Sequence, residues 1–234
     1  MTDAPRAVAR GPARLASASI GIVTIVTVIE GALLLLRAAR IGDADYLGSA
    51  YSLAVTGNGL PDALALTIGV ASLSALAGWL AWQYRAASIL VARGMPPKHT
   101  PQWAVLWWFV PFADLWMPGV TTAELWRGAR QGAGRTGRAW SVWVWWLVFA
   151  AGWIIHSLGI GLRQAVLGDV YSGRGLSTFT PRDVVDIVLV SNVIAGVGAA
   201  ILVAAAPLAL YVIRRITAAL SSPVSLVAPP RPDV

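Results

Sequence analysis

Residues 107–118 read Trp107-Trp108-Phe109-Val110-Pro111-Phe112-Ala113-Asp114-Leu115-Trp116-Met117-Pro118. The stretch has the apolar and aromatic content of a membrane helix, yet two prolines and an aspartate interrupt it. Whether it crosses a bilayer decides how many spans the chain has and which side each end faces. Proline at 111 removes a backbone donor and disrupts the helical turn before it. A carboxylate at 114 is costly facing lipid. Non-helical backbone at membrane depth survives only where protein or water covers it. The segment 102–130 is therefore read as re-entrant or interfacial, with its tryptophans at head-group level. An aromatic belt that only anchors the chain is the plainer alternative.

Outward from this stretch the chain is strongly apolar. Mean hydropathy is +0.67 and charged residues make up 12% of 234, against about 25% in soluble domains. Apolar runs of about 20 residues identify an all-α integral membrane protein. Four transmembrane helices are predicted, at 17–39, 63–90, 140–162 and 184–213. A basic cytoplasmic N-terminus, 1–16, precedes them. A proline-rich tail, 221–234, follows and is expected to be disordered. The first run is too long for a signal-peptide core and carries Glu30, so it is read as an uncleaved span. Pro207 is expected to bend the fourth. No cysteine is present, which removes disulfides, thiolate catalysis and Cys-ligated metal sites.

Seventeen of the 18 basic residues are arginine, and the net charge is +7. The arginines cluster beside the apolar runs, where they set orientation and attract anionic lipid; nucleic acid is not an expected partner. With both ends cytoplasmic, 13 basic residues lie inside and five (Arg37, Arg40, Arg163, Arg174 and Arg182) lie in outer loops. That distribution holds only if 91–139 starts and ends on one side. A fifth span would export Arg127, Arg130, Arg135 and Arg138, the four expected head-group contacts. After Pro118, Thr121-Thr122-Ala123-Glu124 has the form of a capping box opening a short helix.

The halves resemble each other. Arg37-x-Ala39-x-x-Gly42-Asp43 follows the first span and Arg163-x-Ala165-x-x-Gly168-Asp169 the third, while Pro61 and Pro181 precede the second and fourth. Two duplicated hairpins would explain this, as in parallel-repeat transporters; so would chance.

The run Thr100-Pro101-x-Trp103-Ala104, then Trp108-Phe109-Val110-Pro111-x-x-Asp114-Leu115-Trp116-x-Pro118, then Glu124-Leu125-Trp126, with Trp82-x-Tyr84-Arg85-Ala86 upstream, resembles the DUF4328 family. The resemblance implies an actinobacterial multi-span membrane protein of unknown function and supplies no catalytic residues. The family's usual asparagine is replaced by Asp114, and another by Ser88. An amide bridges backbone groups while neutral, whereas a carboxylate must pair or take up a proton.

Glu30 is the leading candidate for chemistry, because an intramembrane carboxylate is a functional-site hypothesis by default. At about 1.5 Å rise per residue, Glu30, His156 and Asn192 lie roughly 20, 24 and 18 Å in from the cytoplasmic face. Such a cluster could relay protons or hold a cation. Equally, it could be a satisfied interhelical network that fixes packing. Two ligands are too few for a metal, and one intramembrane histidine cannot make a bis-histidine haem site; no cofactor is expected. His99, in a proline-rich loop, is expected to be solvent-exposed. Gly132-Ala133-Gly134-Arg135-Thr136-Gly137 spells GxGxxG, but no strand precedes it, so it is read as a cationic linker. Gly196 and Gly198 are read as packing residues. No serine–histidine–acid arrangement is evident.

The sequence thus predicts a multi-pass protein of the bacterial plasma membrane with both termini cytoplasmic. Its leading function is that of a non-enzymatic scaffold or regulatory partner, bound to anionic lipid and to a membrane-protein partner or a second copy. A small proton-coupled transporter or channel built on Glu30, His156 and Asn192 is the alternative, and a membrane enzyme ranks third.

Overall fold

The computed structural model describes residues 4–56, 62–134, 137–172 and 179–222, with side chains from residue 10 in the first helix and residue 66 in the third. Among these residues the chain is all helical: α1 (Ala4–Gly42), α2 (Leu47–Thr56), α3 (Asp62–Ala92), α4 (Pro101–Leu106), α5 (Met117–Gly132), α6 (Trp140–Tyr171) and α7 (Pro181–Ser221). Four segments, Arg10–Gly42, Leu66–Ala92, Trp140–Tyr171 and Pro181–Ser221, are long and apolar enough to cross a membrane.

All four helices outrun the apolar stretches that predict them. Helical hydrogen bonding stops where capping or proline interrupts it, not where hydropathy falls. The predicted N-terminal segment is helical from Ala4. Arg37, Arg40, Arg163 and Arg182, expected in outer loops, all sit on helices; Arg174 lies outside the described residues. The first loop itself contains α2. Pro207 lies within α7 and does not end it. The predicted tail beyond Ser222 lies outside the described residues.

The opening stretch forms no span. Between Pro101 and Gly132 the chain makes a six-residue α4, two 3-10 turns at Trp107–Phe109 and Ala113–Leu115, and a 16-residue α5, whereas a spanning helix needs about 20 residues. Thr100 caps α4, accepting from the Trp103 amide at 3.5 Å, with Pro101 at the first turn, where its missing donor costs nothing. The capping box expected at Thr121 is not one. Helix α5 already begins at Met117, and the Thr121 and Thr122 hydroxyls donate back to the carbonyls of Met117 and Pro118. The chain does have a capping box, at Thr180 and Asp183. The Asp183 carboxylate accepts from the Thr180 amide (2.8 Å) and hydroxyl (2.6 Å), and Thr180 Oγ1 accepts from the Asp183 amide (3.2 Å), at the start of α7.

The chain divides into two compact units, residues 1–20, 74–146 and 207–234 in the first and 21–73 and 147–206 in the second. In the first, α3 buries Trp79, Trp82, Gln83, Ala86, Ala87 and Leu90, the three- and four-residue spacing of a single helix face. Helix α5 packs there with Leu125, Trp126 and Ala129, and α7 with Val212, Ile213, Ile216 and Leu220. A Cβ on Gly119 would fall 2.8 Å from Trp146, and one on Gly78 2.6 Å from the Ser19 hydroxyl, so glycine sets both approaches.

In the second unit, small residues set the spacing. A Cβ on Gly196 would fall 2.7 Å from Leu35, one on Gly31 3.0 Å from Ala199, and one on Gly159 2.6 Å from the Ser191 carbonyl; one on Gly198 would collide with the His156 backbone. Close backbone approach through small residues is the usual way helices pack where lipid leaves no hydrophobic drive between them. Helix α2 closes one end, burying Ala50 and Ala54 among Ile41, Val166, Leu167 and Val188.

Candidate functional site: two buried polar centres

The first centre is Gln83 of α3, fully buried beside the indoles of its own face. Its Oε1 accepts from Trp79 Nε1 at 3.1 Å and from Trp108 Nε1 at 3.0 Å. Its Nε2 donates to Thr121 Oγ1 at 3.0 Å and Thr122 Oγ1 at 3.4 Å. Indole nitrogens only donate, so the oxygen must face the tryptophans, and the amide orientation is fixed by chemistry. The two hydroxyls pass their own hydrogens to the Met117 and Pro118 carbonyls. Every polar valence of the side chain is used.

Around Gln83 the tryptophans form a continuous cluster. Trp79 stacks on Trp145 at 4.6 Å and leans on Trp82 at 5.0 Å, while Trp108 meets Trp146 edge-on at 5.6 Å. Trp146 Nε1 donates to the Leu115 carbonyl (3.1 Å) and Trp82 Nε1 to Thr217 Oγ1 (3.1 Å). Trp108 of the opening stretch is thus an internal clamp that ties the broken segment to α3. Pro118 and Trp126 are also buried. Sequence reasoning missed Gln83, which stands at the unassigned position of Trp82-x-Tyr84. The signal was available: an amide inside an apolar run demands partners.

The rest of the segment turns outward. Trp103, Phe109, Pro111, Phe112, Leu115 and Trp116 are exposed, Phe109 at 61% and Phe112 at 77%. Phe112 has φ +65°, the one described non-glycine residue with positive φ; a bulky side chain rarely adopts that backbone. Asp114 is half-buried, and its carboxylate has no partner among the described residues. His99 is not the free loop residue expected. Its Nδ1 lies 3.0 Å from Glu124 Oε1, and its backbone amide donates to Glu124 Oε2 at 3.3 Å. The signature glutamate therefore fastens the 93–100 loop to α5.

The second centre is in the other unit. Glu30 is buried, and its Oε1 lies 3.7 Å from His156 Nε2. His156 Nδ1 is 3.0 Å from the Ala195 carbonyl. A carbonyl only accepts, so Nδ1 carries a hydrogen, and Nε2 faces Glu30 as an acceptor or as an imidazolium donor. Asn192 does not join this pair directly. Its Oδ1 accepts from Arg163 Nη1 at 3.4 Å, and its Nδ2 is buried with no partner among the described residues. Arg163, a residue expected in a loop, thus joins the cluster through Asn192. Its counterpart in the repeated motif, Arg37, instead donates to the Leu53 and Ala54 carbonyls at the end of α2 (3.2 and 2.9 Å).

Of the four arginines expected at lipid, Arg127 and Arg138 are exposed, and Arg130 lies over the Trp126 ring at 5.7 Å; Arg135 lies outside the described residues. No group of three or more metal-ligating side chains occurs among the described residues. A protein-family model described as a domain of unknown function, DUF4328, matches residues 43–218. No curated protein and no solved structure matches the chain.

Proposed function

The chain belongs to the DUF4328 family, and from that premise we propose a non-enzymatic, multi-pass protein of the bacterial plasma membrane, both termini cytoplasmic, that serves as a scaffold or regulatory partner. One observation carries the reading. Segment 101–132 turns Trp108, Thr121 and Thr122 inward on Gln83 and presents Trp103, Phe109, Phe112, Leu115 and Trp116 outward as an aromatic edge. An enzyme site keeps polar groups turned toward a substrate, whereas an exposed apolar patch marks contact with a membrane or another protein. The whole Gln83 centre lies within the matched residues 43–218, and Glu30 lies before them.

A photo-crosslinking residue at position 112 tests this in intact cells. Crosslinks to a defined membrane protein or a second copy, lost on Trp116→Ala, are expected. Crosslinks to lipid alone would reduce the segment to an anchor. Trp108 is unsuited to the test, because truncating it removes a Gln83 bond and destabilises the fold.

The second reading, a proton-coupled transporter, has the Glu30–His156 contact in its favour. A carboxylate facing an imidazole across 3.7 Å is a donor–acceptor pair through which a proton can pass. In proteoliposomes, Glu30→Gln would then abolish pH-gradient dissipation while leaving the fold intact. A chain that dissipates no gradient before substitution removes this reading.

A further inference from the structure

An open pocket of about 750 Å³ is lined by Arg127 of α5 and by Gly137, Arg138, Ala139, Trp140 and Trp143 at the start of α6. We propose that it binds the phosphate-bearing head group of an anionic glycerophospholipid. This rests on the membrane reading above and gives the scaffold a specific lipid ligand.

Charge points first to a phosphate. Two guanidinium groups and, among the described residues, no carboxylate line the pocket. Arg127 is steadied by its Nε, which donates to the Ala123 carbonyl at 3.2 Å, and its terminal nitrogens have no partner among the described residues. Arg138 makes no hydrogen bond or ion pair among them either. Unengaged arginine forks match phosphate oxygens bidentately. By contrast Arg130 sits over Trp126, and Arg215 over the Tyr211 ring at 5.2 Å.

The rest of the lining favours a lipid over a free anion. Trp140 is 72% exposed and Trp143 partly so. Both lie in the first turn of a helix long and apolar enough to span. Indoles there sit at head-group depth, polar edge to water and ring to acyl chain. The volume is that of a small-molecule site, about 300–1,000 Å³. Basic pockets beside spanning helices are where anionic head groups dock.

The test uses the full chain in a neutral detergent. Thermal unfolding is followed against added dihexanoyl phosphatidylglycerol, dihexanoyl phosphatidylcholine or inorganic phosphate, and the midpoint shift gives an apparent affinity. Two arginines, each worth about fivefold, should favour the anionic lipid by roughly 25-fold. Arg127→Gln with Arg138→Gln should bring the two lipids level. Both side chains are exposed, so the variant keeps its fold, which helicity checks. Arg14→Gln, which removes an exposed charge elsewhere, should leave the preference intact. A preference that survives the double substitution, or falls equally with Arg14→Gln, overturns the proposal. So does inorganic phosphate matching the lipid at equal concentration, which would make this a soluble-anion site. The assay reads the head group in micelles, so its failure leaves the scaffold reading standing, and failure of the position-112 crosslinks leaves the pocket standing.

Discussion

The two polar centres solve the problem of burying polar groups in opposite ways. Gln83 is neutral and saturated, with two indole donors on its oxygen and two threonine acceptors on its nitrogen. The Glu30 centre is ionisable and incompletely matched. Its glutamate and histidine stand 3.7 Å apart, its arginine reaches Asn192 at 3.4 Å, and the Asn192 amide nitrogen has no partner among the described residues. A saturated neutral network fixes one packing, because any shift breaks several bonds. An ionisable pair with spare valences tolerates a change of protonation or partner. The first arrangement suits a segment that must hold one packing, and the second is the one that can accommodate a change of protonation.

The largest expected effect breaks the first centre. Gln83→Glu keeps the acceptor for both indoles but points a second carboxylate oxygen at two hydroxyls already committed to carbonyls. An unmatched buried charge of this kind costs about 3 kcal/mol or more, read as a lower unfolding midpoint in detergent. Next, Arg163→Gln removes the half-buried guanidinium that donates to Asn192 and should cost about 2 kcal/mol; a silent Arg163→Gln would mean that this contact does not hold the second centre together. Gly119→Val drives a side chain into Trp146 and should cost about 2 kcal/mol, with loss of near-ultraviolet tryptophan ellipticity.

The smallest effects sharpen the contrast. Glu30→Gln preserves shape and can donate to His156 Nε2, so its cost should be about 1 kcal/mol or less. That is the mirror image of the Gln83→Glu swap, and equal penalties for the two would erase the distinction between the centres. Trp116→Ala and Asp114→Asn, at an exposed and an unpaired position, should change stability by less than about 0.5 kcal/mol. A larger change on Trp116→Ala would mean that the aromatic edge supports the fold rather than faces a partner.

The capping signals show how local reading goes astray. Thr121-x-x-Glu124 has the right letters, but the helix had already begun at Met117, and Glu124 was drawn to His99. Thr180-Pro181-Arg182-Asp183 carries the shorter acid and is the true box. The pattern names residues able to cap; where the chain turns decides whether they do. Arginine position fails similarly. Arg37 and Arg163 look like loop residues by charge, yet each is held within a helix by an acceptor from another element, the α2 carbonyls and Asn192.

By itself the sequence determined the class of molecule. Apolar runs of spanning length, few charges and a proline-broken aromatic stretch suffice for four long helices and a fragmented connector, because these depend on hydropathy and proline geometry, which are local. It also placed Glu30, His156 and Asn192 at similar depths, since depth along a helix follows from residue count. Only the tertiary structure decided which face each helix presents. On that depend the keystone role of Gln83, the link from Arg163 to Asn192, and the convergence of Arg127 and Arg138 on one pocket. Each is a meeting of side chains distant in sequence, and helix rotation and close glycine-mediated approach, not composition, bring them together.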